Sequence, residues 1–217
     1  MFSLFRRDKT PTFKTTDKIW KTEEGSLKGL LMMAMMRIQH QGSCFILTFF
    51  EEDSQKLGAF MNANQINFTT IDESSSLEDM RATSIYLLND KSLLSTVVND
   101  LLNRNAGSFN GEILLPGHYP LLSVEEKLLT KLSGMGYLKF TFCLSFDDPT
   151  LKLFTAHNIL PLLEKLGLDE HEAIEHDMVS RSLKNARKKI EGKVKTEIKA
   201  KSMKEWFALN VKSLITF

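Results

Sequence analysis

The amino-acid sequence predicts an α/β fold with a mostly parallel sheet and helices on both of its faces. Short apolar segments rich in branched and aromatic residues alternate along the chain with segments of helical periodicity. The apolar segments are nearly continuous, which is typical of parallel strands that are buried on both faces. After the last of them the periodicity is helical throughout, so a helical C-terminal part should follow the sheet.

Five segments predict strands, and four predict the helices around them. The strand segments end in turn residues or charged clusters, and the helical segments repeat apolar residues every three or four positions. We expect strands at 43–50, 66–71, 83–88, 112–115 and 138–146. We expect helices at 22–41, 53–63, 92–104 and 124–132. Ser123 and Glu126 have the spacing of a capping box at the start of the last of these helices.

The part of the chain after the last strand predicts short helical turns and then one long amphipathic helix. Segments 149–154 and 159–166 have a helical pattern, and Gly167 should end the second. Asp169 is followed three residues later by Glu172, a pattern typical of a helix cap. The long helix should have one apolar face, formed by Val179, Leu183, Ala186, Ile190, Val194 and Ile198.

The charge of the chain is unevenly distributed. Its formal net charge is +1, but residues 181–204 contain ten basic and two acidic residues, a net charge of +8 against −7 for the rest. Such a split indicates either a solvated basic face or a contact surface for an acidic protein or an anionic membrane. The candidate contact residues are Arg181, Lys184, Arg187, Lys188, Lys195 and Lys199.

Asp147 and Asp148 follow the predicted last strand, where a Mg²⁺-binding carboxylate stands in many ATPases. Such a site also needs a phosphate-binding loop, G-x-x-x-x-G-K-[ST], and the chain has no Gly-Lys-Ser or Gly-Lys-Thr. Without that loop, the two carboxylates are better interpreted as a helix cap before Pro149. We therefore expect no bound nucleotide and no ATPase activity.

Three other groups of residues favour structural roles over chemical ones. His171 and His176 are five residues apart, whereas a zinc-binding helix needs histidines four apart, so no metal site is expected. Cys44 and Cys143 lie in strand-like segments and should be buried free thiols. The methionines beside Leu30 and Leu31 should form a core face of their helix: Met32, Met33, Met35 and Met36.

No segment approaches the roughly 18 consecutive apolar residues of a membrane span. The first residues also lack an apolar run of signal-peptide length, which predicts a cytoplasmic protein. The basic segment leaves a peripheral position at the membrane as a second expectation.

Four runs of residues together form a recognisable pattern: DKIWKTEE at 17–24, FCLSFDDP with LKLF at 142–154, EKLGL with EAIEH at 164–176, and VSRSLKNARKKIE at 179–191. In these runs the sequence resembles the second motor domain of the preprotein translocase ATPase SecA family. The resemblance implies a RecA-like lobe at 15–168, preceded by an arm at 1–14. Residues 169–217 would form a helical extension similar to the start of the SecA scaffold. Asp147, Asp148, Glu175 and His176 would be structural residues of these motifs.

The sequence departs from the family where the ATP chemistry would lie. In the family this lobe closes over ATP and supplies arginines to it, but the arginine-containing loops expected after the predicted strand 83–88 and before Phe142 are missing. No arginine occurs between Asn105 and Phe142. The resemblance therefore implies a fold without its catalytic groups, and fold alone does not transfer function.

Three functional hypotheses remain open. The leading one is a non-catalytic SecA-like lobe that needs no cofactor, acts through protein contacts and is linked to translocation. The second is a lobe of a composite ATPase that a separately encoded partner completes. The third is binding of an anionic surface or nucleic acid by the basic segment, with nucleic acid ranked last because no base-reading motif is present.

Overall fold

The computed structural model describes residues 13–41, 43–72, 74–75, 84–105, 111–154 and 172–211. Within these ranges the fold is α/β, with one six-stranded sheet whose strands are all parallel. The arrangement is consistent with a RecA-like fold. The predicted helix at 159–166 and the predicted cap at Asp169 lie outside the described residues.

The strands are ordered β1-β6-β5-β2-β4-β3 across the sheet. Their bounds are β1 Lys14–Trp20, β2 Cys44–Thr48, β3 Phe68–Ile71, β4 Ile85–Asn89, β5 Glu112–Leu115 and β6 Lys139–Ser145. The helices are α1 Glu23–Gln41, α2 Glu51–Ala63, α3 Thr96–Asn105, α4 Leu122–Gly134, α5 Pro149–Phe154, α6 Asp177–Glu191 and α7 Met203–Asn210. A 3₁₀ turn, Ser92–Leu94, precedes α3.

The core is divided by the sheet into two apolar layers. On one face α1 and α2 bury Leu30, Leu31, Leu57 and Met61 against the strands. The other face is covered by α3, α4, α6 and α7, whose core residues include Val98, Leu129, Leu183 and Trp206. All five residues of β2 are buried, as expected for a strand covered on both sides. The predicted helices on both faces are confirmed.

Strand β1 is absent from the strands predicted above. Its first five residues are polar, KTTDK, so it lacks the apolar run that identifies a buried strand. It forms one edge of the sheet and pairs with β6 alone in full register, from Lys14 opposite Lys139 to Trp20 opposite Ser145. On its outer side Ile19 makes an antiparallel bridge with Ile174, through hydrogen bonds of 3.0 and 2.8 Å.

The methionine prediction for α1 is wrong at three positions. Met33 packs against the core, but Met32, Met35 and Met36 are 59%, 47% and 52% exposed. The buried face of α1 is formed instead by Leu30, Leu31 and Ala34. Spacing alone could not show which side of a helix so rich in apolar residues meets the sheet.

The capping box predicted at Ser123 and Glu126 is also wrong. Helix α4 begins at Leu122, and its N-cap Leu121 has no side-chain capping bond. The Ser123 hydroxyl instead donates a hydrogen bond to the Glu191 carboxylate of α6, and Glu126 forms an ion pair with Lys184 of α6 at 3.5 Å. Both side chains therefore fasten one helix to another, a use that local spacing does not reveal.

The long C-terminal helix is shorter than predicted and is followed by a second helix. Glu172 is not helical, because Ile174 is extended beside β1, and His176 caps α6 by accepting a bond from the Met178 N–H at 3.1 Å. The helix ends at Glu191, with Gly192 as its C-cap. Val194 is partly buried, whereas Ile198 is 52% exposed and lies outside the apolar face assigned to it.

Candidate functional site

The carboxyl ends of the strands form a crevice at the topological switch point of the sheet. The connection from β2 leads through α2 to β3 on one side, and that from β5 leads through α4 to β6 on the other. Ligands of open α/β sheets bind at such a point. The crevice has a volume of about 150 Å³, with walls from α1, α2, the segments after β5 and β6, and Met203.

The charged residues that line the crevice are mainly carboxylates. Glu23, Asp53, Asp147 and Asp148 face it, and Lys56 is the one basic residue among its described lining. Lys56 is itself paired with Glu23. The net charge of the lining is therefore negative, which opposes the binding of phosphate groups.

Asp147 and Asp148 have different roles at the end of β6. Asp148 caps α5, because its Oδ1 accepts hydrogen bonds from the Thr150 N–H at 2.7 Å and the Leu151 N–H at 3.4 Å. This is the cap predicted before Pro149. Asp147 pairs with Lys152 at 2.9 Å and accepts a bond from the Glu23 N–H at 3.2 Å, which ties the end of β6 to the start of α1.

Burial disfavours the charged forms of two of these acids, and repulsion by neighbouring carboxylates adds to the effect at one of them. Burial, with the nearby charges of Asp148 and Glu52, raises the pKa of Asp53 to about 7. Burial also raises the pKa of Asp148, although hydrogen bonds to its carboxylate oppose the shift. A bound cationic group would reverse both shifts, and a bound phosphate would increase them.

The amino end of α2 is occupied by the chain itself. A helix amino end that follows a parallel strand is the usual position for a bound phosphate, because its free N–H groups point outward. Here the Glu52 N–H donates to the Lys201 carbonyl oxygen at 3.0 Å, and the first turn contains Glu51, Glu52 and Asp53. The C-terminal segment thus engages one of these N–H groups, and the first turn itself carries three acidic residues.

A buried tetrad of charged residues lies beside the crevice: Asp17, His118, Glu125 and Arg187. His118 contacts Asp17 through Nε2 at 3.1 Å and Glu125 through Nδ1 at 3.0 Å. Arg187 Nη1 lies 2.9 Å from Glu125 Oε1, and Arg187 Nε donates to the Tyr119 carbonyl at 2.8 Å. These side chains come from β1, the segment after β5, α4 and α6, so the tetrad joins four parts of the fold.

The tetrad balances two positive and two negative charges. Burial acts to lower the pKa of His118, but the charge of Glu125 and hydrogen bonds to both carboxylates raise that pKa to about 9. Burial acts to raise the pKa of Asp17 and Glu125, but His118 and Arg187 hold the pKa of each below its ordinary value. A protonated His118 donates from both ring nitrogens. The 3.1 Å approach of Arg187 Nη1 to His118 Nδ1 is therefore a shared attraction to Glu125 and not a hydrogen bond.

Sequence reasoning did not identify the tetrad. His118 follows a predicted strand, Glu125 lies in a predicted helix, and the two are seven residues apart without a recognisable motif. Asp17 and Arg187 are 101 and 69 positions from His118. The one signal in the sequence was an acidic residue at Glu125 flanked by apolar residues on a helix face.

The six predicted contact residues do not form one exposed set. Arg187 is 2% exposed and held in the tetrad, so its assignment to the solvent face is wrong. Lys184 and Lys199 are exposed but pair with Glu126 and Glu197, at 3.5 and 3.1 Å. The three remaining residues are exposed and make no ion pair with a described residue: Arg181, Lys188 and Lys195.

Of the remaining motif residues, Glu175 pairs with Lys18 of β1 at 3.1 Å. Together with the His176 cap, this pair holds the segment before α6 against the sheet edge.

Cys44 and Cys143 are buried free thiols, as predicted, and burial raises the pKa of Cys44 to about 12. Within the described ranges, no group of three or more His, Cys, Asp or Glu residues could hold a metal ion. No described helix has the length and apolar character needed to cross a bilayer.

Comparison with known proteins identifies the relatives of part of this chain. A stretch of 52 residues, 24% of the chain, is 48% identical to protein translocase subunit SecA 1 of Alkaliphilus metalliredigens. SecA of Clostridium beijerinckii matches over the same length at 48% identity. SecA of Ruthia magnifica matches over 70 residues, 32% of the chain, at 41% identity.

Part of this chain is SecA-like. The matching stretch spans only 6–8% of the length of these relatives, so the resemblance is partial. No protein-family model matches the chain.

Proposed function

We propose that this chain is a non-catalytic SecA-like motor-lobe protein that acts through protein contacts in protein translocation. The observation that carries the proposal is the state of the crevice. The position where a RecA-like lobe would meet phosphate is acidic and small, and the Lys201 carbonyl of the C-terminal segment accepts a hydrogen bond from the amino end of α2.

The size and charge of the crevice both argue against a nucleotide. A pocket for a ligand of nucleotide size has a volume of roughly 300 Å³ or more. This crevice has about half that volume, and its described lining contains four carboxylates against one lysine. The phosphates of ATP would add several negative charges beside Asp53 and Asp148, whose own ionisation is already disfavoured.

No described arginine is placed to stabilise a transferring phosphate. Arg187 is enclosed in the tetrad, and Arg37 pairs with Glu112 at 2.7 Å. Arg104 and Arg181 are exposed and do not line the crevice. Phosphoryl transfer depends on such positioned charge, because the protein otherwise does little chemistry in that reaction.

The link to translocation rests on the relatives, which are named as translocase subunits. What the comparisons show the chain to share with them is a short stretch of similar sequence. Contact with a translocation component is the function that this similarity favours. A cytoplasmic position, with contact to the membrane during that work, is part of the proposal.

Two measurements test it. Calorimetric titration with Mg-ATP should detect no binding tighter than about 1 mM, with a full-length SecA as the positive control. Micromolar binding of Mg-ATP, or hydrolysis on addition of a purified partner, would replace the proposal with the composite-ATPase hypothesis. Sedimentation of the chain with SecA or the membrane translocon of the same cell should show a complex with one of them. Independent sedimentation from both would contradict the translocation link.

A further inference from the structure

Two of the four carboxylates in the crevice, those of Asp53 and Asp148, have no basic partner among the described residues. The other two acids of the lining, Glu23 and Asp147, each form an ion pair with a lysine. Burial and the nearby charge of Asp148 raise the pKa of Asp53, and no hydrogen bond from a described residue opposes that shift. The crevice therefore lacks the positive charge that would balance two of its acids.

A buried hydroxyl group faces the same space. Ser26 of α1 lines the crevice and is only 7% exposed. Its N–H donates to the Thr22 carbonyl within the helix, but its hydroxyl makes no hydrogen bond with a described residue. A buried hydroxyl without a partner is costly, and a polar group that enters the crevice would supply one. Ser26 thus points to a ligand independently of the acids.

The polar groups of the crevice match a primary ammonium group. Such a group has one positive charge and three N–H donors. Asp53, Asp148 and Ser26 offer an acceptor each on three sides of the crevice. Asp148 keeps acceptor capacity, because a carboxylate has about four acceptor positions and the cap of α5 uses two of them.

The remaining walls of the crevice suit an alkyl chain attached to that ammonium. Five apolar side chains line it: Leu27, Pro116, Leu144, Pro149 and Met203. Methylene groups pack favourably on such a surface while the charged end of the chain meets polar groups. The volume of about 150 Å³ is that of a cavity that holds a benzene-sized group, and butylammonium has a similar size.

We propose that the crevice binds a primary alkylammonium group, with Asp53, Asp148 and Ser26 as its hydrogen-bond acceptors. A free amine and a lysine side chain present this same group, since a lysine side chain ends in butylammonium. The inference does not rest on the proposed function, because the binding of an amine requires no translocation component. Failure of either one leaves the other standing.

The test is a titration of the isotope-labelled chain with n-butylamine at neutral pH, followed by the amide shifts in nuclear magnetic resonance spectra. Binding should saturate with a Kd of about 1 mM, and the shifts should centre on Ser26, Asp53 and Gly117. Tetramethylammonium has the charge without N–H donors, and n-butanol has the chain without the charge. Both should bind at least about tenfold more weakly.

Three variants remove the acceptors one at a time. Asp53→Asn and Asp148→Asn should each weaken binding by about tenfold or more, and asparagine can still cap α5. Ser26→Ala should weaken it by about threefold to tenfold. The matched controls are Glu52→Gln and Ser54→Ala, which make the same kinds of change in α2 outside the crevice lining. They should bind within about twofold of the parent.

Three results would overturn the proposal. They are the absence of a saturable shift up to about 100 mM n-butylamine, equal binding of tetramethylammonium or n-butanol, and equal losses in the site variants and the controls. A capped Gly-Lys-Gly peptide distinguishes the two sources of the ammonium. Affinity equal to that of n-butylamine assigns the crevice to a lysine side chain of a protein, and affinity lower by about tenfold or more assigns it to a free amine.

Discussion

At the residue scale, the main electrostatic feature is the buried tetrad of charged side chains, in which Arg187 takes part. Arg187 would be an exposed cation if only its helix were considered, but its Nη1 contacts Glu125 and its Nε contacts the Tyr119 carbonyl. Its removal would leave Glu125 buried with His118 as its remaining charged partner. A buried ion pair adds modest stability as a whole, but breaking one by removing a single partner is costly.

We therefore expect Arg187→Met to lower the free energy of unfolding by about 3–5 kcal/mol. Urea denaturation at neutral pH measures it. Lys188→Met is the control, because Lys188 is the next residue along α6 and is exposed. Its effect should lie within about 0.5 kcal/mol. Equal effects of the two substitutions would show that Arg187 contributes only as a helix residue.

The second residue-scale prediction concerns pH. The pKa of His118 is about 9 in the folded chain and about 6.5 in an unfolded one. A raised pKa means that protonation of His118 stabilises the folded chain. This stabilisation is complete below about pH 6.5 and is lost as the pH rises through 9. Urea denaturation from pH 6 to pH 10 should show falling stability in the parent.

His118→Gln should reduce that slope, because glutamine does not titrate. His40→Gln is the control, since His40 is exposed near the end of α1, and it should leave the slope unchanged. A parent whose stability is constant over this range would contradict the protonated tetrad.

At the element scale, the packing of α1 on β1 depends on one close contact, between Gly29 and Trp20. A Cβ atom added at Gly29 would lie 2.1 Å from Cζ2 of Trp20, which is 3% exposed in the core. This contact sets how closely α1 approaches the edge strand. It also accounts for a glycine within a helix, where alanine would ordinarily be favoured by about 1 kcal/mol.

Gly29→Ala should therefore destabilise the protein by about 1–3 kcal/mol, as overpacking of a core does, despite the gain in helix propensity. Thermal or urea denaturation measures it. Gly134→Ala is the matched control in α4, because a Cβ atom there would meet no atom within 4 Å. Its effect should be neutral or slightly stabilising. Equal stabilisation by both substitutions would mean that Trp20 gives way without cost.

At the scale of the whole molecule, the sheet and the C-terminal helices share one core. The larger apolar cluster contains strand residues such as Phe45 and Phe142 together with Leu183 of α6 and Trp206 of α7. Trp206 is fully buried and packs edge-on against Tyr119 at 6.5 Å. A lobe at 15–168 and an extension at 169–217 therefore differ in sequence pattern, while their described residues pack together.

This continuity predicts that both parts unfold in one transition. Trp20 lies in the apolar layer under α1 and Trp206 in the layer under α7, and the chain has only these two tryptophans. In Trp20→Phe and Trp206→Phe, each remaining tryptophan reports on one layer. Within each variant, the tryptophan fluorescence and the far-ultraviolet circular dichroism should change in one urea transition with the same midpoint and slope. A fluorescence transition that precedes the circular dichroism transition in the variant that retains Trp206 would show that the extension unfolds independently.

The sequence by itself determined the order of the central elements and the fold class. Residues such as Phe45–Leu47 and Phe140–Leu144 form apolar runs that can be buried only between two layers, so β2 and β6 were predictable from hydrophobicity alone. The cap at Asp148 was also predictable, because a capping bond joins residues within one turn. The absence of a phosphate-binding loop motif was evident from the amino-acid sequence itself.

Tertiary structure alone decided the features that join distant parts of the chain. β1 is a strand because β6 offers it hydrogen bonds, although its own residues are mostly polar. Arg187 is buried because Glu125 and the Tyr119 carbonyl lie beneath it, and the Lys201 carbonyl reaches the amino end of α2 from the segment that precedes α7. Each depends on a partner tens of residues away. Local periodicity and spacing cannot identify such partners, because burial of charge is favourable only when the matching charge arrives from elsewhere in the fold.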